Sequence, residues 1–247
     1  MRIVGLYDLK SNITEIISNS DAYKKGGAHI PHMFMNLTHE NGQSTVADYI
    51  TSKINENNLR KFCGLDTLLE YRLSGELAQL KRVFEDVKNN AVYRNAYEGV
   101  VAIDISALSE YINEYQVDYF IEQIEQIGRN ATLIIYYDKS LGKRMKLIKE
   151  SVIQSLGNCI DITVDPYSIE ELAEIVVEDI KKRGIKVDSD EELEMMLCDV
   201  VEKNNVKSAK QAVAVAEELT FYVDYSGITP EINAKIIGEH FRNIKVH

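Results

Sequence analysis

The chain has 247 residues, 45% of them hydrophobic, with 28 Lys plus Arg against 39 Asp plus Glu and a formal net charge of −11. That composition supports a packed core and argues against global disorder, and the length suits one large domain or a core with a smaller appendage. An acidic chain draws in phosphate backbones only through a locally basic surface, so the charge speaks against nucleic acid and anionic membrane as partners.

Cys63, Cys159 and Cys198 are far apart, odd in number and without CxxC spacing. They are expected to be reduced thiols of a cytoplasmic protein. The opening, MRIVGLYDLKSNITEI, turns polar after a few residues and does not read as a signal peptide. No apolar run approaches the roughly 20 residues of a spanning helix.

Residues 1–30 carry a short helical pattern and a turn at Lys24-Lys25-Gly26-Gly27. His32 to Leu37 is a candidate buried strand, followed by a polar loop from Thr38 to Gly42. Val46, Tyr49, Ile50 and Ile54 recur at helical spacing. Thr67 to Leu73 reads as a second strand. Ser74 to Asn90 reads as a helix, with Leu77, Leu80, Phe84 and Val87 on one face.

Gly99 to Asp104 is a continuous apolar run ending in a carboxylate, as expected of a parallel strand buried on both faces. A helical pattern over Val117–Ile127, a strand over Ala131–Tyr137, a helix around Lys143–Ser155 and a strand over Ile160–Val164 continue the alternation. The expected core is therefore α/β, a parallel sheet with helices on both faces.

After Pro166 no strand is legible, and four helices are expected at about 168–183, 189–203, 207–224 and 230–242. Ser168-Ile169-Glu170-Glu171 and Ser189-Asp190-Glu191-Glu192 both fit a capping box. Thr229-Pro230 fits an N-cap followed by proline in the first helical position. The division expected is residues 1–166 as the core and 167–247 as a helical lid, with the boundary near Tyr167.

Other clusters read more simply. His29 and His32 stand three apart across a proline, off any common helical face, and with His39-Glu40 are expected to be loop and strand-edge residues, not metal ligands. His240 and His247 are expected to be solvated. Tyr93, Tyr97, Tyr111, Tyr115 and Tyr119 suit core-edge packing with the hydroxyl in water, with a partner-binding surface as the alternative. Asp188–Glu194 is the acidic start of a helix, and Lys143-Arg144-Met145-Lys146 a solvated face.

The segment from Leu37 to Thr45 lies between a strand and a helix, where a phosphate-binding loop of the form G-x-x-x-x-G-K-[ST] would lie. Such a loop needs glycines to wrap backbone N–H groups around phosphates, a lysine for charge and a hydroxyl for Mg²⁺. Gly42 and Ser44 match that form. Leu37 replaces the first glycine, and Gln43 replaces the lysine.

In the order of its elements the chain resembles the AAA+ ATPase superfamily, particularly bacterial members related to sporulation ATPases and rubisco activases. Val4 to Lys10 looks like the superfamily's opening motif, Pro31 to Ile50 like strand, P-loop and helix, and Gly99 to Asp104 like the Walker B strand. Asp165 to Leu172 looks like the junction with the lid, and Val206 to Lys210 like the start of the lid helix that carries the second sensor. The resemblance implies a five-stranded parallel sheet plus a C-terminal helical lid. It implies nucleotide contacts by Gly42, Gln43, Ser44, Thr45 and Lys210, and Mg²⁺ contacts by Ser44 and Asp104.

Set against the superfamily's pattern, the departures fall on catalysis. Ile105 stands where the catalytic carboxylate follows the Walker B aspartate. Gly157 stands where the arginine finger is expected, ten residues before Tyr167. The first sensor falls near Tyr137-Asp138, and Lys210 keeps the second sensor's charge without the bidentate fork of arginine. An arginine finger alone is worth roughly 10³–10⁵ in rate. The expectation is a non-hydrolysing scaffold with no tightly bound cofactor, at most weak ATP or ADP with Mg²⁺. Its partners would be copies of itself or an intact AAA+ relative. The alternative is a working ATPase with an unorthodox loop, using Thr45, Asp104 and Lys210 with residues from a neighbouring subunit.

Overall fold

A computed structural model describes residues 5–19, 30–57, 68–73, 76–89, 99–108, 113–138, 142–188, 191–224, 227 and 229–245. The turn at 24–27 and residues His29, Cys63, Tyr93, Tyr97, Tyr111, Ser189, Asp190 and His247 lie outside them. The described chain divides into two compact units. The first holds residues 8–39 and 43–164. The second holds 165–247 together with residues 5–7 and 40–42.

In the first unit the elements alternate: α1 (Tyr7–Ser18), β1 (His32–Met35), a 3₁₀ turn (His39–Asn41), α2 (Gln43–Glu56), β2 (Leu68–Arg72), α3 (Leu77–Asn89), β3 (Val100–Asp104), α4 (Glu114–Gly128), β4 (Thr132–Tyr136), α5 (Gly142–Leu156) and β5 (Cys159–Ile162). Tyr7 and the tip of the 3₁₀ turn belong by packing to the second unit. The five strands form one parallel sheet in the order β2-β3-β4-β1-β5. The central strands β1, β3 and β4 are buried along their whole length, which is why they read as unbroken apolar runs.

Alternation along each strand sends successive side chains to opposite faces. Val101, Ile103 and Ile105 of the β3 segment join Leu133 and Ile135 of β4 in a core shared with Phe84 of α3, Phe120 and Ile124 of α4, and Ile148 and Val152 of α5. Tyr136 takes the opposite face, and its hydroxyl donates to the Gln43 carbonyl of α2 at 2.9 Å. Asn36 prolongs the sheet past β1 with its side chain. Its Nδ2 donates to the Val164 carbonyl at 3.0 Å, and its Oδ1 accepts from Val164 N–H at 2.7 Å.

In the second unit, α6 (Ile169–Lys182), β6 (Lys186–Val187), α7 (Glu191–Lys203), α8 (Ala209–Leu219), β7 (Glu231–Ile232) and α9 (Ala234–His240) enclose a separate core of Leu172, Val176, Leu193, Leu197, Val215 and Ile237. The capping box at Ser168 forms as expected. Ser168 Oγ accepts from Glu171 N–H at 3.2 Å, and Glu171 Oε2 accepts from Ser168 N–H at 2.9 Å.

Three expectations fail here. Two strands follow Pro166: β6 and β7 pair in parallel, Lys186 with Glu231 and Val187 with Ile232. Two residues per strand are too few to leave a periodic signal. Thr229-Pro230 does not open a helix, because the Pro230 carbonyl accepts from Lys186 N–H at 2.8 Å, flanking the strand pair. Asn233 caps α9 instead, its Oδ1 accepting from Ile236 N–H at 3.1 Å. His240, expected in a solvated tail, ends α9 and stacks on Tyr222 at 4.6 Å.

Among the other singled-out residues, His32 is buried and its Nδ1 accepts from Leu133 N–H at 3.1 Å, which fits a structural histidine. Tyr115 is exposed, while Tyr119 packs edge-on to Phe84 at 6.2 Å. Met145 is buried and Lys146 reaches solvent. Among the described residues no group of His, Cys, Asp or Glu could hold a metal ion, and no helix is long and apolar enough to cross a membrane.

Cys159 and Cys198 are free thiols, both half-buried. Burial, and after it the Asp161 carboxylate, push the Cys159 thiol from its ordinary 9.0 up to about 12. The thiolate is the reactive form. Iodoacetamide at pH 8 is therefore expected to label Cys159 slowly in the folded chain and promptly in urea, read by mass spectrometry. A folded value above the unfolded one contributes stability in full below pH 9, lost as pH rises through about 12. Prompt labelling of the native chain would contradict the burial.

Candidate functional site

In open parallel sheets, ligands bind outside the carboxyl ends of the strands. In the first unit that edge carries Asn36 and Leu37 after β1, Asp104 at the end of β3 and Tyr136 at the end of β4. The strand order makes β1 and β4, and β4 and β3, direct neighbours, so these positions share one edge.

The segment after β1 has the backbone course of a strand, a tight turn and a helix start. Gly42 has φ +85°, a conformation that disfavours other residues, and α2 begins at the next residue. Ser44 and Thr45 stand in the first turn of α2, Ser44 exposed and Thr45 half-buried. A helix start of this kind offers unpaired N–H groups to an anion.

The side chains work against that offer. Gln43 is 5% exposed, and its Nε2 donates to the Leu37 carbonyl at 2.6 Å. The residue in the lysine position thus turns inward and ties together the two positions that depart from the loop form. The Tyr136 phenol, held neutral by burial well above its ordinary range, supports the Gln43 carbonyl from below.

Asp104 is 5% exposed at the end of β3. Its Oδ1 accepts from Ser106 N–H at 2.9 Å, and its Oδ2 lies 3.8 Å from Arg72 Nε at the end of the paired strand β2. Arg72 was not legible as a site residue: only the β2–β3 register brings it opposite Asp104. Ile105 is fully buried in the opposite core, sharing a face with Val101 and Ile103. Tyr137 packs into that same core with its ring 5.1 Å from Phe34, so its side chain leaves the edge where a sensor would act. Gly157, with φ +71°, makes an exposed turn after α5 and carries no side chain to reach a neighbour.

The second unit brings three distant pieces of sequence together at the start of α6. Gly5, with φ +68°, lies where an added Cβ would come within 3.1 Å of the Tyr167 ring. Tyr7 N–H donates to Glu171 Oε1 at 3.4 Å, and its hydroxyl to Glu174 Oε2 at 2.5 Å. The Tyr167 hydroxyl, raised to about 12 by burial and then by Glu171, donates to the Asn41 carbonyl at 3.2 Å. Lys210 Nζ stands 4.0 Å from Glu40 Oε1, with the side chains 75% and 60% exposed. An exposed pair at that distance contributes little to stability. It does place the Lys210 ammonium opposite the Glu40 carboxylate.

A sheet of order β2-β3-β4-β1-β5 with a strand-turn-helix after β1, joined to a helical unit, is the AAA+-type P-loop fold. The chain is similar to Thermotoga maritima RuvB, described as a Holliday junction branch migration motor, at 15% identity and TM-score 0.58 over 97% of this chain and 70% of that one. A mutant of the same protein aligns at 15% identity and TM-score 0.59 over 98% of this chain and 71% of that one. Identities this low show the fold alone. No family model matches the sequence, and the search of curated proteins finds no match.

Proposed function

We propose that this chain is a degenerate AAA+-type protein that works as a non-hydrolysing scaffold or interaction module. The observation that carries the reading is the loop itself. The residue in the lysine position is buried on the Leu37 carbonyl, and Lys210 faces Glu40. Phosphoryl transfer depends on positioned charge; an amide in the lysine position supplies none, and the Glu40 carboxylate near Lys210 opposes an anion.

The residues fit a magnesium nucleotide only in part. Gly42, Ser44 and Thr45 supply a helix start suited to phosphate, and Asp104 retains a buried carboxylate at the strand end suited to organising Mg²⁺. Gln43 and Glu40 supply no positive charge. Weak binding of ATP or ADP follows, with no reaction routed through it.

Partners in this reading are proteins: copies of this chain, or an intact relative of the sporulation ATPase or rubisco activase kind in a mixed ring. The RuvB likeness raises DNA as a partner, and the net charge of −11 opposes it. Filter binding to duplex and four-way junction DNA at low salt is expected to show no retention.

The working-ATPase alternative draws support from Asp104, which sits at the sheet edge with its Oδ1 anchored on Ser106 N–H. Phosphate release separates the two readings: background release is expected here, and turnover that needs Asp104 favours the alternative.

A further inference from the structure

The second unit has a surface that the phosphate-loop reading does not use. Between α6 and α7 runs a groove of about 420 Å³. Its floor is apolar, made by Ala173, Val177 and Leu197. Its rim is acidic, carried by Glu170, Glu174, Glu178 and Glu194, with Lys181 the one ammonium among the lining residues.

Local helix physics explains only part of that rim. Glu170 and Glu194 lie in the first turns of α6 and α7, where the helix dipole favours carboxylates. Glu174 and Glu178 lie beyond those turns, Glu174 accepting from the Tyr7 hydroxyl at 2.5 Å and Glu178 standing 3.7 Å from Lys181 Nζ. With Glu170 they make a row at i, i+4 and i+8, and like charges at that spacing oppose the helix that holds them. The row spans eight residues, about 12 Å at helical rise. Two apolar side chains next in sequence to rim carboxylates also stand in solvent, Ile169 at 38% and Met195 at 70% exposure. The field is felt on the floor: the half-buried Cys198 thiol is raised by burial first, then by Glu170, Asp199 and Glu194.

We propose that the α6–α7 groove docks a basic amphipathic helix of a partner protein, its apolar stripe on Ala173, Val177 and Leu197 and its lysines or arginines along the Glu170–Glu174–Glu178 row. A groove between two helices suits a helix, read by apolar anchors at helical spacing. Complementary charge fixes register and speeds encounter. The chain's own basic segment is a poorer occupant. After Lys146 and the exposed Leu147 the next turn brings Glu150, which faces Lys146 at 3.8 Å, so its basic run ends within one turn. The proposal deepens the interaction-module reading but needs nothing from the phosphate loop.

The test uses the full chain and a fluorescein-labelled designed peptide with leucines at helical core spacing flanked by lysines, read by anisotropy at low salt. Binding is expected. It should weaken on the order of tenfold in Glu178→Lys/Glu194→Lys, and stay nearly unchanged in the remote control Glu122→Lys/Glu150→Lys. A peptide with serine for each leucine should not bind. If the charge reversal unfolds the chain, judged by circular dichroism, Glu178→Gln/Glu194→Gln takes its place. Equal weakening by the groove and remote variants, or equal binding of the serine peptide, would reduce the effect to net charge and overturn the proposal. Self-association of the chain that the groove variant abolishes would also overturn it, by making a second copy the occupant. Phosphate release, measured on the same samples, reports on the phosphate loop separately.

Discussion

Ile105→Glu, which places a carboxylate next to Asp104, is expected to destabilise the chain and to yield no turnover. Ile105 is fully buried and shares a core with Val101, Ile103, Leu133, Phe120 and Ile148, on the sheet face opposite Tyr136. A glutamate following the same backbone would enter that core without a partner. An uncompensated buried charge costs about 3–5 kcal/mol. For a chain of this size each kcal/mol lowers the melting temperature by roughly 2–4 °C, so a loss on the order of 10 °C is expected by calorimetry. Burial raises the carboxyl's pKa, so the deficit relative to the parent should shrink as pH falls toward the ordinary glutamate value of about 4.3 and grow above it. A variant that melts with the parent would mean that the residue reaches solvent at the site edge, and the base position would be open to repair.

Gln43→Lys with Glu40→Gly is the second large effect, and it is a gain. The parent loop keeps the turn at Gly42 and the start of α2, while its charges oppose an anion. The lysine supplies an ammonium where Gln43 now bonds the Leu37 carbonyl, and the loss of Glu40 frees Lys210 from the carboxylate 4.0 Å away. Two changes at a partly screened site are worth roughly 3 kcal/mol, about a hundredfold in affinity. Titration calorimetry with ATP and Mg²⁺ should therefore turn a weak or unmeasurable signal into a clear isotherm, with hydrolysis still absent. A folded double variant that binds nothing at millimolar ATP would show that Leu37 has cost the loop its shape as well as its charge.

Much of the fold was legible because the buried parallel strands are continuous apolar runs and because Ser168 with Glu171 makes a strong helix start. What escaped was short or non-local. β6 and β7 have two residues each, and their pairing joins residues 45 apart in sequence. Pro230 looked like a helix opener because the local rule cannot see that its carbonyl is taken by Lys186. At the site, the identities at 43 and 105 were readable, and their directions were less so. The alternation of Val101, Ile103 and Ile105 already places residue 105 on the face away from Asp104. No local signal tells that Gln43 would bend back onto Leu37, that Arg72 would stand beside Asp104, or that residues 5–7 and 40–42 would pack with the second unit.

The central claim is that the chain does not hydrolyse ATP, and phosphate release from purified protein with ATP and Mg²⁺ tests it most directly. Release indistinguishable from a no-protein control, unchanged in Asp104→Ala, is the expected result. Turnover near the lower end of the usual range, roughly 1 per second, that disappears in Asp104→Ala would contradict it.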